Sequence, residues 1–214
     1  MAIIYKKNNT DFSIAIWQIT ESMSKLLKDF ELNKNEKSEF GKFKNKQRRL
    51  QWLVSRILIN KLLNVTEKIV VVYDEYGKPH LLNSEYKISI SHSRNYVAII
   101  LSKKYNIAID IEIHESRIEK ISKKFLNQSE LKYLNSEYKI EQMYIIWCAK
   151  ESLYKLYSIG GLDFRKNILV KPFKYKDNQI KGNITASIKK NNFNKNYSLY
   201  YERINDLMLV YALK

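Results

Sequence analysis

Ile107-Ala108-Ile109-Asp110-Ile111-Glu112-Ile113 sets two carboxylates two residues apart inside an otherwise apolar run. The alternation predicts a β-strand with Ile107, Ile109, Ile111 and Ile113 on one face and Asp110 and Glu112 projecting together from the other. Two anions held side by side repel. The arrangement persists more readily with a cation between them, and hard oxygen ligands favour Mg²⁺ or a similar ion. From this run alone, a half-buried strand with a wet polar face explains the pattern equally well.

Upstream of this strand, residues 87–91 and 96–101 alternate as two more strands, joined by a short polar connection containing Arg94-Asn95. The three together predict an antiparallel meander. Residues 13–19 read as a first strand and 21–30 as a helix. Over residues 46–63, Leu50, Leu53, Val54, Ile57, Leu58 and Leu62 recur at helix intervals, with Arg49 and Arg56 seven residues apart on a neighbouring stripe. Residues 68–73 form a β-branched strand ended by the turn Asp74-Glu75-Tyr76-Gly77-Lys78-Pro79. Downstream, residues 118–125 and 128–138 have helical spacing, and a long helix over 141–157 stops at Ser158-Ile159-Gly160-Gly161. Strands return at 168–174, 184–188, 197–203 and 207–213. The expected fold is α+β, with an N-terminal half over 1–105 and a C-terminal half over 106–214 that carries the carboxylate pair. No Gly/Ser-rich or Pro-rich linker divides the halves, so they are expected to pack as one compact unit.

A chain of 214 residues can bury a substantial core, and its single cysteine, Cys148, rules out an internal disulfide. A reducing, cytoplasmic location is the simpler expectation. The N-terminal residues turn polar too early for the apolar core of a signal peptide, and no segment approaches the length of a membrane span. The formal net charge of +16 favours acidic or polyanionic partners: nucleic acid, phosphorylated ligands or an acidic protein. It does not choose among them, and the abundance of Lys, Asn, Ile and Tyr is what biased codon usage would also produce.

Specific cations near carboxylates are better evidence. In the long helix, Trp147, Glu151 and Lys155 are spaced four apart along one face. An exposed, salt-bridged stripe is the ordinary meaning of that spacing. Alternatively, Glu151 completes a three-carboxylate Mg²⁺ site with Asp110 and Glu112, and Lys155 neutralises a phosphate bound there. Ser91, His92 and Ser93 cluster hydrogen-bonding groups near a hairpin turn, a set suited to phosphate oxygens.

Gly77-Lys78-Pro79, Ile88-Ser89-Ile90-Ser91-His92-Ser93, Ala108-Ile109-Asp110-Ile111-Glu112 and Trp147-Cys148-Ala149-Lys150-Glu151-Ser152-Leu153-Tyr154-Lys155 together resemble the ordered motifs of the surfactin-type 4′-phosphopantetheinyl transferases. The resemblance spans roughly residues 47–160. It implies a pseudo-twofold fold of two similar halves, each an antiparallel sheet packed against helices, with coenzyme A and Mg²⁺ (Mn²⁺ being an acceptable substitute) in the cleft between them. Asp110, Glu112 and Glu151 match the metal-binding acids. Lys78 and His92, with Ser91 beside it, match contacts to coenzyme A phosphates, and Lys155 matches a lysine at the pyrophosphate. An arginine at the start of the helix before Trp52-Leu53 binds the nucleotide in the family; Arg48 and Arg49 both qualify, and Arg49 is favoured. The family commonly has glycine where this chain has Ala108, and its basic N-terminal contacts to the nucleotide cannot be matched individually among Lys42, Lys44 and Lys46.

The implied reaction moves the phosphopantetheine arm of coenzyme A onto a serine of an apo acyl or peptidyl carrier protein, with Glu151 as base and Lys155 at the departing phosphate. Two fused halves need no partner subunit, so a monomer is expected, with neither nucleic acid nor membrane as partner. One alternative is a Mg²⁺-dependent nuclease, but a common nuclease pattern wants Glu-x-Lys beside the strand acid, and Glu112 is followed by Ile113 and His114. The other is a non-catalytic nucleic-acid-binding domain, which would need exposed aromatics among the lysines; here the aromatics mostly fall at core-like spacings.

Overall fold

The computed structural model describes residues 2–65, 67–176 and 180–214. The chain divides into two compact units, Met1–Lys104 and Tyr105–Lys214. Each is an antiparallel sheet with helices packed against it, so the fold is α+β.

The first unit runs β1 (Ala2–Asn8), β2 (Ser13–Gln18), α1 (Met23–Asp29), α2 (Lys34–Lys42), α3 (Lys46–Leu63), β3 (Val71–Tyr73), β4 (Pro79–Leu81), β5 (Lys87–Ser93) and β6 (Tyr96–Ser102). Its main sheet has the order β1-β2-β6-β5, and β3 pairs with β4 as a separate hairpin. The core gathers Trp17 from β2, Leu53 and Leu58 from α3, and Val97, Ile99 and Leu101 from β6. α3 starts where Asn45 caps the backbone N–H of Arg48 and ends where Asn64 turns left-handed at φ 49°.

The second unit runs β7 (Ile107–Ile113), α4 (Ile118–Phe125), α5 (Gln128–Tyr133), α6 (Lys139–Tyr157), β8 (Ile168–Val170), β9 (Lys181–Lys190), β10 (Phe193–Ile204) and β11 (Leu207–Leu213). Its sheet order is β7-β11-β10-β9-β8. α6 supplies Ile145, Ile146, Ala149 and Leu153 to a core completed by Ile184, Leu199, Met208 and Val210 from the sheet.

The expected meander is corrected. β5 and β6 pair, but β6 continues to β2, while β7 pairs with β11 in the other sheet. Residues 103–106 carry the chain from one unit to the next, and the Asn106 amide and carbonyl exchange bonds with Lys214 at 2.7 and 2.9 Å. The helix expected to reach residue 138 stops at Tyr133. Leu134 is extended, and the Asn135 amide is taken by the Gln142 side chain at 2.7 Å, which redirects the chain into α6. The strand expected over 168–174 ends at Val170, two residues before Pro172. No helix among the described residues is long and apolar enough to cross a membrane.

Candidate active site

β7 is one of the two edge strands of its sheet, and its register sets Asp110 opposite Val210 and Glu112 opposite Met208. α6 crosses these positions. Cys148 donates its thiol to the Met208 carbonyl at 3.9 Å, and Ser152 donates its hydroxyl to the Val210 carbonyl at 3.2 Å. One helical turn on, Lys155 Nζ reaches the Ile109 carbonyl at 2.9 Å and Asp110 Oδ1 at 2.8 Å. Asp110 is only 5 % exposed, whereas Glu112 on the same face is half-buried. Lys155 pairs with Asp110 across forty-five residues of sequence, not with Glu151 along its own helix.

Glu151 lies beside this contact, half-buried on α6. Burial pushes its carboxyl up to about 7; the Asp110 carboxylate adds to the rise, Lys155 opposes it, and Glu112 adds a further push. Burial also raises the Cys148 thiol well above its ordinary value, with Asp110 and Glu112 reinforcing the shift, so that sulfur is held protonated and is no nucleophile. Three carboxylates on β7 and α6 therefore act on one another electrostatically.

Among the described residues, no group of three or more His, Cys, Asp or Glu side chains is gathered in a geometry that holds a metal ion. The donor chemistry of Asp110, Glu112 and Glu151 nevertheless fits a hard divalent cation. All three are carboxylates, and a cation would relieve the repulsion that raises Glu151.

The preceding residue of α6, Lys150, has the opposite environment. It is fully buried, and its three ammonium protons go to Glu130 Oε2 at 2.7 Å, the Phe125 carbonyl at 2.8 Å and the Phe164 carbonyl at 2.8 Å. Glu130, equally buried, accepts the Asn127 amide at 3.0 Å and the Val170 amide at 2.9 Å. Trp147 packs its ring on Phe125 at 5.2 Å and Phe164 at 5.6 Å. Its place in the motif is thus a packing role beside the Lys150 network.

In the first unit, α3, the turn before β4 and strand β5 line a cavity of about 130 Å³ with Arg48, Trp52, Arg56, Tyr73, Gly77 and His92 among its walls. Gln47 and Gln51 donate to the Arg94 carbonyl at 2.6 and 2.8 Å, tying the β5–β6 hairpin to α3. That tie brings Arg48 Nη1 against His92 Nε2. Arg56 is 3 % exposed and lies over the Trp52 ring at 4.3 Å, with Nη1 donating to Ser55 at 3.0 Å and to the Tyr73 hydroxyl at 3.1 Å. Arg48 is depressed below the ordinary arginine value by burial; Tyr73 opposes the shift and the Arg56 guanidinium adds to it. Arg56 is already paired with the Glu39 carboxylate at 3.5 Å, while Arg48 and His92 meet at the cavity wall, a mainly cationic lining whose chemistry suits an anion.

Lys78 follows the left-handed Gly77 (φ 78°), in a turn where Asp74 Oδ1 accepts the amides of Tyr76 and Lys78 at 3.0 and 2.9 Å. Ser91 is buried within β5. Arg49 is turned away from the cavity walls: its Nε donates to the Phe43 carbonyl at 2.6 Å and its guanidinium lies over Phe40 at 5.4 Å. Sequence reasoning places Arg56 on the right helix without giving it a role. Its intervals of seven from Arg49 and eight from Arg48 set it about 20° and about 80° around the helix from them, a spacing that marks one broad side of α3 without choosing between the two.

Residues 106–207 match the family model of the 4′-phosphopantetheinyl transferase superfamily. That stretch holds Asp110, Glu112, Glu130, Lys150, Glu151 and Lys155, and covers just under half of the chain, nearly all of its second unit. No curated protein matches the chain.

Proposed function

We propose that the protein transfers the 4′-phosphopantetheine arm of coenzyme A to a serine hydroxyl of an apo carrier protein, releasing adenosine 3′,5′-bisphosphate. The observation that carries this reading is the meeting of Lys155 with Asp110, beside Glu151, within the stretch that matches the transferase superfamily. The surfactin-type motifs in both units extend that support to the first half of the chain.

A serine hydroxyl is a weak nucleophile and must lose its proton as it attacks phosphorus. Glu151, directly or through a water, is placed to accept that proton; without a metal its carboxyl is pushed up to about 7 by burial. The new bond joins the serine oxygen to the β-phosphorus of coenzyme A, the bond from that phosphorus to the bridging oxygen breaks, and the electron pair leaves with the bisphosphate. Lys155 is the donor that meets the charge on the departing phosphate. Asp110, Glu112 and Glu151 would hold Mg²⁺, or Mn²⁺ in its place, and the ion when bound would offset pyrophosphate charge. Arg48, Arg56, His92 and Lys78 bind the phosphates of the nucleotide end, with Ser91 supporting the strand that carries His92. Arg48 takes this place rather than Arg49, because it lines the cavity.

The carrier is an acidic acyl or peptidyl carrier domain, matched to the chain's net charge of +16. Purified protein incubated with coenzyme A, Mg²⁺ and apo carrier should raise the carrier's mass by one phosphopantetheine. No mass change with fatty-acid, polyketide and peptide-synthetase carriers would reject the proposal.

A further inference from the structure

The Lys150–Glu130 pair is an unusual object in a protein core. Both side chains are 0 % exposed, and every ammonium proton has an acceptor. Five segments meet there: the end of α4 at Phe125, α5 through Glu130, α6 through Lys150, the 163–166 turn through Phe164, and β8 through Val170. Stability alone does not call for such a pair, because the cost of removing two charges from water commonly equals or exceeds what their attraction returns, and apolar residues of similar volume often serve as well. Directional hydrogen bonds do something that apolar burial cannot: they fix rotation about an axis as well as distance.

The rotation at stake is that of α6. Lys150 and Glu151 are consecutive, so they lie about 100° apart around the helix axis, and a direction imposed on one is imposed on the other. On the sheet side, α6 is held by Cys148, Ser152 and Lys155 through carbonyls of β11 and β7. On its other side, Lys150 is held by α4, α5 and the 163–166 turn, with the Phe164 ring against Trp147 and Tyr154. At a side-chain radius of about 5–6 Å, a ten-degree roll would move the Glu151 carboxylate by about 1 Å.

We propose that Lys150 and Glu130 are positioning residues of the active site, a buried ionic clamp that sets the roll of α6 and so aims Glu151 and Lys155 at Asp110 and Glu112. This rests on the transferase reading for its catalytic consequence, and on geometry alone for its effect on the carboxylate cluster. A misplacement of about 1 Å at a reacting group can cost about 100-fold in rate. Loss of an outer partner of a ligand commonly weakens metal affinity about 10- to 100-fold.

The test neutralises both charges together, in Lys150→Met/Glu130→Gln, so that neither is left buried alone. Glutamine retains an oxygen for the Val170 or Asn127 amide. Circular dichroism and a cooperative thermal melt establish folding; Mn²⁺ binding is read by the electron paramagnetic resonance of free Mn²⁺, and turnover by carrier mass. The double variant is expected to fold, to keep the coenzyme A KM within about twofold, to lose about 100-fold in kcat and to bind Mn²⁺ about tenfold more weakly. A folded variant with parental kcat and parental Mn²⁺ affinity would reduce the pair to a structural role. If the double variant does not fold, Glu130→Gln alone, which preserves shape, is put through the same measurements, and parental values there overturn the clamp in the same way. Should the parent transfer nothing to any carrier, the transferase reading fails, and the Mn²⁺ comparison still decides the clamp.

Discussion

Asp110 is a carboxylate with its lysine already in place, and Glu151 is one whose surroundings hold its proton until near neutrality. On the transferase reading proposed above, Glu151 is the base. Glu151→Gln should lower kcat about 1000-fold while leaving coenzyme A binding within a few-fold, since the amide keeps the shape and loses the base; transfer assays and calorimetry would check it. Arg48→Met should do the reverse, raising the coenzyme A KM about 10- to 100-fold with a smaller change in kcat, because it removes a charge-assisted contact to phosphate. Glu21 gives a pH signature remote from chemistry. Burial raises its carboxyl, but the Trp17 indole N–H at 3.2 Å and the Thr20 amide at 3.1 Å more than offset this, leaving it below the ordinary glutamate value. Its contribution is present above the unfolded value and is lost as pH falls below about 4, so Glu21→Gln should flatten the acid limb of the urea midpoint against pH. At this scale, strand parity makes the Asp110–Glu112 pair legible in sequence. The choice between Arg48 and Arg49 is not, because neighbours in a first helical turn are sorted only by what the helix meets.

α4 falls where hydrophobic period sets it, since it has one clear buried face, whereas α3, β7 and β11, buried on more than one face, are marked by their apolar content and the turn residues that bound them. α2 escapes a reading by period because none of its residues is buried; the capping box of Asn33 and Glu36 is its only mark. β1 reads in sequence only as a polar N-terminus, its lysines and Tyr5 lying along an edge strand. The meander fails because strand pairing across a hundred residues, as between β7 and β11, leaves no trace in local pattern. Lys150 and Glu130 are hidden for the same reason: charged residues on helices read as solvent-facing until the fold buries them. Two glycines test the element packing. A Cβ at Gly182 in β9 would stand 2.6 to 2.8 Å from the buried Tyr201 ring on β10, so Gly182→Ala should cost about 1–3 kcal/mol in denaturant unfolding. Gly41→Ala, with nothing within 4 Å, should gain about 0.5 kcal/mol.

Each unit of the molecule has its own apolar core, and each holds one part of the proposed chemistry: a cationic cavity in the first, a carboxylate and lysine cluster in the second. A net charge of +16 should speed encounter with an acidic carrier, so raising salt from about 50 to about 500 mM should increase the carrier KM more than the coenzyme A KM. Equal dependence of both would place the effect at the phosphates instead. On the transferase reading, Glu151 and Lys155 of α6, set against Asp110 and Glu112 of β7, move phosphopantetheine from coenzyme A to a carrier serine. Intact-protein mass spectrometry of an apo carrier, incubated with coenzyme A, Mg²⁺ and either the parent protein or Glu151→Gln, reads that transfer. One added phosphopantetheine with the parent, and none over the same interval with the variant, is the predicted result; an unmodified carrier with both, or equal modification by both, would contradict it.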